Sequence, residues 1–385
     1  MTRQLKILEH ALSSLLRRKY KNLSLLVVYT FTVATLGSVL FLTNALKIEA
    51  SNSLAAAPEL VIQRLAGGRH DLTPINYAEQ INGLPGVKKV TPRVWGYYYD
   101  ALVRANFTLM GFQENPRDIE LLEGRMPTDP EECAVGSGIT EIFGAEIGDQ
   151  LVLIDSRDQN RLYEITGRFK TASNLLTNDL IMMQEESLRD FFDIPHGLAT
   201  DIAVEVYNQR EVKTLAKKIK FHLPDTRPIT RSEILHTYEM IFNWRSGMML
   251  AVSVGALIAF CILAWDKATG LSADEKREIG VLKAVGWETA DVLSVKFWEG
   301  LAISFTASLI GLIAAWFHVF ILGAPALSPI LKGWSVLFPT FKLTPTVDFY
   351  QLFVLSFLTI VPYLACTLIP AWKAAITDPE QVMRS

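Results

Sequence analysis

The sequence predicts an α-helical membrane protein with four transmembrane helices, arranged as one plus three, and an extracytoplasmic mixed α/β domain between the first and second helix. Half of the 385 residues are hydrophobic, only 20% are charged, and the mean hydropathy is positive at +0.24. Soluble domains carry about a quarter charged residues, so this composition argues against an ordinary soluble enzyme. The apolar residues are gathered in four long stretches, whereas the chain between the first two stretches is polar and acidic.

The four apolar stretches are long enough to cross a bilayer. A hydrocarbon core of about 30 Å requires a helix of about 20 predominantly apolar residues. We predict spans over residues 23–46, 246–265, 293–322 and 349–372. The first stretch could also be a signal peptide, because Ala55–Ala57 resembles a cleavage site. Its apolar run is much longer than the roughly 7–15 residues of a signal peptide, so an uncleaved anchor is the better interpretation.

Basic residues determine the predicted orientation of these spans. Six Lys and Arg residues but only one acid, Glu9, precede the first span. By the positive-inside rule the N-terminus is cytoplasmic, and four spans return the tail, residues 373–385, to the same side. Residues 266–292 then form a cytoplasmic loop, whereas residues 47–245 and the loop 323–348 lie outside. We therefore expect a multi-pass protein of the inner (cytoplasmic) membrane, surrounded by the lipid bilayer.

Residues 1–22 are predicted to form a cytoplasmic interfacial helix. Leu5, Leu8, Leu12 and Leu15 recur at spacings of three and four, with polar residues between them. Such a leucine stripe suits a helix that lies in the membrane interface before the chain enters the bilayer. The alternative is a continuous cytosolic extension of the first span.

The outer segment, residues 47–245, reads as a soluble domain with its own core. It carries 22 Lys and Arg against 29 Asp and Glu, a net charge of −7. Alternating runs such as Gln150–Ile154 predict strands, and residues 210–223 predict an amphipathic helix. Helical spacing resumes at Ser232 and is predicted to continue into the second span.

Several classes of function lack support in the sequence. A net charge of −3 gives no case for a nucleic-acid partner. The three cysteines, Cys133, Cys261 and Cys366, cannot build a disulfide framework and share no zinc spacing with histidines. No G-x-x-x-x-G-K-[ST] string occurs, so the chain has no phosphate-binding loop for a nucleotide. We therefore expect a non-catalytic chain without a cofactor, and no metal site or catalytic residue.

The loop between the second and third spans has the most informative pattern. Glu275, Lys276, Arg277 and Glu278 form a charged turn. On a helix, the residues that follow place an apolar stripe on one face, and two glycines would let another surface approach closely. That stripe is Ile279, Leu282 and Val285, and the glycines are Gly280 and Gly286. The plainer alternative is a solvated loop, although such a loop needs neither the stripe nor the glycines.

This loop and two other strings carry a family resemblance. The string Glu275–Gly286 resembles the cytoplasmic signature of the FtsX-like permeases, the membrane subunits of MacB/LolC-type ABC transporters. The C-terminal matches are Pro370–Ala375, Asp378–Pro379 and Met383–Arg384. The outer matches, similar to a MacB-type periplasmic core domain, are Glu123–Pro127, Cys133–Gly136, Ile147–Asp149 and Tyr163–Gly167. The matches follow the family's order along nearly the whole chain.

The resemblance implies a function and a set of partners. The cytoplasmic loop would be the coupling helix that docks on a separate cytoplasmic ABC ATPase subunit, which binds ATP and Mg. The implied ATPase-coupling residues are Glu275, Arg277, Glu278, Ile279, Gly280, Leu282, Lys283, Ala284 and Gly286. A second permease copy or a paralogue would complete a dimer, and a membrane-fusion adaptor or a lipoprotein is a further expected partner. Transport in this family implies export or extraction at the outer face; the sequence does not identify the substrate.

The runner-up is a signal transducer like the FtsX protein, which activates a cell-wall hydrolase without transport. Its outer domain is typically about half this size and lacks the Gly-Arg-x-Pro and Ile-Gly-Asp strings, so transport is favoured.

Within the spans, Lys296 and Glu299 lie three residues apart on one helical face and could be either a functional pair or a simple intrahelical pair. Pro362 and Pro370 in the fourth span free backbone carbonyls and permit a kink.

Overall fold

The computed structural model describes residues 2–55, 57–113, 120–169, 178–269, 280–283, 285–332 and 343–376. The chain divides into two compact units. The first comprises Met1–Asn44, Asn243–Leu327 and Pro345–Ser385, and the second comprises Ala45–Phe242 and Ser328–Thr344. In the described residues, the first unit is helical and the second contains all the strands. We call the first the helical unit and the second the outer unit.

The helices and strands are numbered along the chain. The helices are α1 (Thr2–Arg17), α2 (Lys19–Ala55), α3 (Asn76–Asn82), α4 (Ser137–Phe143), α5 (Glu185–Phe192), α6 (Val212–His222), α7 (Arg231–Thr269), α8 (Thr289–Trp316), α9 (Ser328–Lys332) and α10 (Phe349–Ile376). The strands are β1 (Leu60–Ala66), β2 (Arg69–Asp71), β3 (Thr73–Pro74), β4 (Val87–Arg93), β5 (Trp95–Asp100), β6 (Ala105–Phe112), β7 (Leu121–Gly124), β8 (Glu132–Val135), β9 (Gln150–Ile154), β10 (Asn160–Phe169), β11 (Leu180–Gln184), β12 (Leu198–Ala199), β13 (Asp201–Val206) and β14 (Thr226–Thr230).

Four helices are long and apolar enough to span a membrane. The candidate spans are Lys19–Asn52, Arg231–Ile262, Thr289–Ile321 and Phe349–Lys373. Each of the four helices extends past its predicted apolar stretch at one or both ends. Helix α8 begins at Thr289 instead of residue 293, because the Glu288 and Asp291 side chains cap its first turn. Helix α7 begins one residue before Ser232 and continues into the second span, as its spacing predicts.

The helical unit is packed around aromatic side chains of three spans. Tyr29 of α2 is fully buried and stacks on Phe260 of α7, with ring centroids 4.5 Å apart. Its other neighbour is Tyr363 of α10, at a centroid distance of 5.2 Å. Aromatic side chains bury a large apolar area in defined geometries, so this stack joins α2, α7 and α10 in one arrangement.

Helix α1 and helix α2 are two separate helices. The chain turns at Arg18, and the Asn22 side-chain amide donates to the Leu15 carbonyl at 3.0 Å, which satisfies one free carbonyl at the end of α1. The leucine stripe is divided: Leu5 and Leu12 are exposed, whereas Leu15 packs against the core of the helical unit. Other residues of α1 form its buried face.

The outer unit contains two sheets, each with its own core. The first sheet has the strand order β14-β1-β13-β4, with β2 paired to β1, and all of these pairings are antiparallel. Helices α3 and α6 bury apolar side chains such as Ile81, Leu215 and Ile219 in its core. Alternation of buried and exposed residues along β1 and β13 gives the sheet one apolar face.

The second sheet has the order β5-β6-β11-β8-β10-β7, with β9 paired to β10. It is mixed, because β11 runs parallel to β6 and β10 runs parallel to β8. Helices α4 and α5 cover its core, to which Ile139, Leu188 and Phe191 contribute. The predicted strand Gln150–Ile154 is β9, in which Leu151 and Leu153 are buried.

A buried carboxylate joins the two sheets. Asp201 at the start of β13 is 1% exposed and accepts two hydrogen bonds from the Arg93 guanidinium, at 2.7 and 2.8 Å. It also accepts from the indole Nε1 of Trp95 at 2.9 Å, and Trp95 is the first residue of the second sheet. The neighbouring Thr200 hydroxyl accepts from the Trp95 backbone N–H at 3.0 Å and donates to the Trp95 carbonyl at 2.7 Å. The connection from β4 of the first sheet to β5 of the second sheet is therefore held by hydrogen bonds to Asp201 and Thr200.

Candidate functional site

The described part of the loop between the second and third spans forms one helical turn, residues 280–283, that leads into α8. Of the residues implied by the sequence, Gly280, Leu282, Lys283 and Gly286 are described. The others, Glu275, Arg277, Glu278, Ile279 and Ala284, lie outside the described residues. The C-terminal string from residue 377 onwards also lies outside them.

Gly286 ends this short helix. Its φ is +97°, the left-handed region that glycine adopts at low cost. The Trp287 N–H donates to the Leu282 carbonyl at 3.0 Å and the Gly286 N–H donates to the Lys283 carbonyl at 3.0 Å. These two bonds are the Schellman pattern of a helix C-terminus. Gly286 therefore terminates the helix, and its conformation accounts for the glycine without a close approach by another surface.

The exposed apolar pair differs from the predicted stripe. Val281 is 53% exposed and Val285 is 75% exposed, whereas Leu282 is half-buried. Positions four apart lie on the same side of a helical turn, so Val281 and Val285 form a small apolar surface. Gly280 is buried within the chain, which means that a larger side chain there would disturb this protein as well as any partner.

The loop is attached firmly to the helical unit at Trp287. The Trp287 side chain packs with Trp298 against a buried cluster of Ile7 and Ala11 from α1 and Val295 from α8. The His10 ring lies 5.7 Å from the Trp287 ring, between centroids. These contacts explain the apolar residues of α1 that are outside the leucine stripe. Helix α1 thus braces the start of α8 and the end of the loop.

Helix α8 begins directly after this contact, and its first turn is capped. Glu288 is its N-cap residue, and the Glu288 backbone N–H donates to the Asp291 carboxylate at 3.1 Å. The Glu288 side chain accepts from the backbone N–H of Asp291, which completes a capping box. Only Gly286 and Trp287 separate the exposed Val285 from this capped start.

Among the described residues, no group of three or more His, Cys, Asp or Glu side chains is arranged to hold a metal ion. Burial raises the pKa of the Cys133 thiol to about 12, so this cysteine stays protonated near neutral pH and is a poor nucleophile. The described end of the loop offers an apolar patch on a braced helix end, which suits docking of another protein.

Sequence reasoning misses two residues of this site. The predicted stripe groups Val285 with Leu282 and leaves out Val281; the spacing of four between the two valines is the signal that could have found it. The role of Trp287 depends on contacts with α1, which lies far away in the sequence, near the N-terminus. No local sequence pattern predicts that contact.

Comparisons with known proteins cover most of the chain. Residues 27–220 match the family model of the MacB-like periplasmic core domain, and residues 248–379 match the model of the FtsX-like permease C-terminal region. The first match includes most of α2 and the outer unit as far as α6. The second begins in α7 and includes α8 and α10.

Two curated proteins are similar to this chain in sequence. The lipoprotein-releasing system transmembrane protein LolC of Haemophilus influenzae is 25% identical over 276 residues, which cover 67% of this chain and 65% of LolC. An uncharacterised ABC transporter permease of Methanocaldococcus jannaschii is 22% identical over 213 residues, covering 52% of this chain and 51% of that protein. The chain thus spans between half and two thirds of the length of these curated relatives.

A solved structure aligns with about half of the chain. The periplasmic region of MacB from Actinobacillus actinomycetemcomitans aligns with a TM-score of 0.33 at 17% sequence identity. The alignment covers 47% of this chain and 92% of that structure.

Proposed function

This chain belongs to the FtsX-like permease family of ABC transporter subunits and carries a MacB-like periplasmic core domain, and we propose that it couples ATP hydrolysis to transport. A separate cytoplasmic ATPase subunit would bind ATP and Mg and hydrolyse the nucleotide, since the 385 residues contain no phosphate-binding loop. The permease would use that energy to export or extract a substrate at the outer face of the cytoplasmic membrane. In this proposal the permease itself is not an enzyme.

The observation that carries the proposal is the exposed pair Val281 and Val285 on a braced helix end. Interface energy is concentrated in a few central residues that become desolvated on binding. Movement of a docked ATPase would push this pair, and the capped start of α8 directly after Trp287 would receive the displacement. The charged turn Glu275–Glu278 would add specificity and orientation to the contact.

The docking is tested by replacing both valines with serine, Val281→Ser with Val285→Ser. We expect normal expression of the permease, at least about tenfold weaker co-purification of a co-expressed partner ABC ATPase, and loss of stimulated ATP turnover. The matched control is Leu16→Ser on α1, which removes an apolar side chain that is 74% exposed. Full coupling in the valine variant, or an equal loss in the control, would contradict the docking assignment.

The membrane orientation is proposed from the charges. A reporter fused after Arg231 should be extracytoplasmic, and one fused after Asp274 should be cytoplasmic, because the basic residues before α2 keep the N-terminus inside. Either reporter on the opposite side would reverse the position of the outer unit and refute the cytoplasmic docking.

The remaining assignments follow the family and are also proposals. The permease would act as a dimer, with a second copy or a paralogue, over two ATPase subunits, and a membrane-fusion adaptor or a lipoprotein would join it outside. LolC is named for lipoprotein release, so a lipid-linked protein is a reasonable first cargo to test. A signal transducer that activates a cell-wall hydrolase is not favoured, because residues 27–220 match a MacB-like core domain.

A further inference from the structure

We infer that Cys261 on α7 and Cys366 on α10 form an oxidation site, at which an uncharged hydroperoxide in the membrane converts the two thiols into a disulfide that joins the second and fourth spans. Both cysteines are free thiols and both are partly exposed. The third cysteine, Cys133, is completely buried in the core of the outer unit. The coupling proposal gives the pair no role.

Packing between α7 and α10 brings the two thiols together. Phe260, the residue before Cys261, stacks on Tyr363 with ring centroids 5.9 Å apart. Cys366 follows Tyr363 by three positions, and positions three apart are neighbours on the surface of a helix. The thiol groups of Cys261 and Cys366 are hydrogen-bond partners. Tyr29 on α2 is close enough to interact electrostatically with both of them, so the pair lies beside the aromatic stack of the helical unit.

The simpler interpretation is that the two cysteines only fill space, because a free cysteine often behaves as a small apolar side chain. The two interpretations differ in whether the sulfur atoms can bond. Helices α7 and α10 contain the least buried of the four candidate spans, with 22% and 17% of the span buried against 44% and 39% for the other two. The small movement that would bond the sulfur atoms therefore displaces few neighbouring side chains.

The depth of the pair determines which oxidant can reach it. Cys261 is the last residue but one of the span Arg231–Ile262, and Cys366 lies about 10 Å before the end of the span Phe349–Lys373. Both thiols are thus inside apolar segments, where a charged reagent is costly to bring. An organic hydroperoxide is uncharged and dissolves in the bilayer, and a hydroperoxide formed on a lipid chain would already be there.

The oxidation proceeds in two steps. One thiol attacks the outer oxygen of the hydroperoxide, which gives a sulfenic acid on that cysteine and releases an alcohol. The second thiol then attacks the sulfenic sulfur, the S–S bond forms, and its proton leaves with the hydroxyl group as water. The two thiols thus lose two electrons, which reduce the hydroperoxide to the alcohol and water. Apolar surroundings disfavour the thiolate and slow the first step, whereas the contact between the thiols speeds the second.

A disulfide at this place would hold α7 to α10. Helix α7 leads into the loop that carries Val281 and Val285, and α10 is already joined to α2 by the hydrogen bond from Tyr29 to Thr359. Oxidation should therefore restrain the second span against the others and lower the stimulated ATP turnover. This consequence rests on the proposed function, whereas the formation of the disulfide does not.

The test counts free thiols in the full-length protein. Membrane vesicles that contain the protein are exposed to cumene hydroperoxide, and the protein is then unfolded and labelled with a polyethylene glycol maleimide, which adds one mass step per thiol. We expect three labelled thiols before oxidation and only that of Cys133 afterwards, with all three restored by dithiothreitol. Three labelled thiols after oxidation would overturn the inference, as would a loss that dithiothreitol does not reverse or a crosslink between two chains.

The matched control moves one sulfur atom around its helix. Cys261→Ala with Ile262→Cys keeps three thiols at nearly the same depth but turns one by about 100° on α7, to a position that is 63% exposed. This variant should keep three labelled thiols after the same exposure. A disulfide formed equally well in the control would show that collision, and not the packing of α7 on α10, brings the thiols together, and would overturn the inference.

A second reagent tests the wild type alone, so the inference stays testable if the control variant does not fold. Phenylarsine oxide bridges two adjacent thiols through one arsenic atom and releases water. We expect it to protect two of the three thiols from the maleimide, and ethanedithiol to free them again. Three unprotected thiols would contradict the pairing of Cys261 with Cys366.

The effect on coupling is measured with the partner ABC ATPase present. Oxidation should abolish most of the stimulated ATP turnover of the wild type, dithiothreitol should restore it, and the control variant should keep it. An equal loss in the control would assign the effect to other groups and refute the restraint by the disulfide. If the untreated wild type shows no stimulation, the proposed function fails, and the thiol count still decides whether the pair forms a disulfide.

Discussion

The hydroxyl of Tyr29 on α2 donates a hydrogen bond to the backbone carbonyl of Thr359 on α10, a residue 330 positions later in the chain. Pro362 lies three residues beyond Thr359 inside the same helix. Proline has no N–H to donate to the carbonyl four residues earlier, which is that of Leu358, the residue before Thr359. The Tyr29 hydroxyl therefore joins the first span to the fourth span in the turn that precedes Pro362.

Tyr29→Phe should destabilise the protein by about 1 kcal/mol, because phenylalanine keeps the ring stack on Phe260 but removes the buried hydrogen bond. The measurement is thermal unfolding of the full-length protein in detergent. Tyr20→Phe is the control, since Tyr20 is 80% exposed, and it should change the midpoint little. Equal effects of the two variants would show that the Tyr29 hydroxyl contributes nothing.

Gly286→Ala should weaken coupling to the ATPase without disturbing the spans. The left-handed φ of Gly286 costs about 1–2 kcal/mol for any residue with a Cβ atom, so the C-terminus of the short helix would fray. No heavy atom lies within 4 Å of an added Cβ, which separates this conformational effect from a clash. Stimulated ATP turnover reports the loss. Gly255→Ala, in a helical position that is equally open, should leave turnover unchanged.

Asp201→Ala should destabilise the outer unit by about 3 kcal/mol, because it leaves the Arg93 guanidinium and the Trp95 indole without their shared partner. A fragment from Ala50 to Tyr238, which we expect to be soluble and to unfold cooperatively, allows this measurement with denaturant. Glu205→Ala is the control, since Glu205 pairs with Lys88 at 2.9 Å on the exposed surface of the same strand. Its cost should stay below about 1 kcal/mol.

Because of Asp179, the outer unit should be more stable in mild acid than at neutral pH. Burial raises the pKa of its carboxyl from 3.8 to about 6, although the Thr108 hydroxyl donates to it at 2.7 Å. Between pH 4 and 6 the folded state binds the proton more tightly than the unfolded state, so this group's contribution to stability is lost as pH rises through 6. Tyr97 and Tyr238 lie close enough to interact with it electrostatically.

The corresponding variant is Asp179→Asn, which keeps an acceptor for Thr108. Above pH 6.5 it should be more stable than the wild type by as much as ~3 kcal/mol, with the difference vanishing near pH 4. Unfolding of the same fragment at several pH values measures this. Asp155→Asn provides the opposite sign, since backbone N–H groups and Arg161 lower the pKa of Asp155, and it should destabilise the fragment at neutral pH. A pH-independent effect of Asp179→Asn would refute the assignment.

The membrane helices could be predicted from the sequence because their signal is local. A run of apolar residues long enough to cross the bilayer needs no knowledge of other segments, and the four candidate spans overlap the four predicted stretches. The boundaries were less accurate. The start of α8 depends on the reciprocal caps of Glu288 and Asp291, and α2 continues to Ala55 beyond the last apolar residue of its span.

The candidate site was predicted less completely, because its geometry depends on distant residues. The loop string indicated a docking segment, yet which of its apolar side chains are exposed depends on where the helix ends, and Gly286 sets that end. The contacts of Trp287 with Ile7 and Ala11 join residues that lie far apart in the sequence. The aromatic stack around Tyr29 likewise needs three helices at once, and no single segment indicates it.

The contact between Ile7 on α1 and Val295 on α8 also has a consequence for biosynthesis. Nearly three hundred residues separate the two, and at a synthesis rate of about 5–20 residues per second α1 waits roughly 15–60 s for its partner. During that time its face of Ile7 and Ala11 has no α8 to cover it. The exposed leucines on another face can keep the helix on the membrane surface meanwhile, near the place where α8 will emerge. On this hypothesis Leu5 and Leu12 hold α1 at the membrane surface during insertion, and their loss should first reduce the yield of correctly assembled protein.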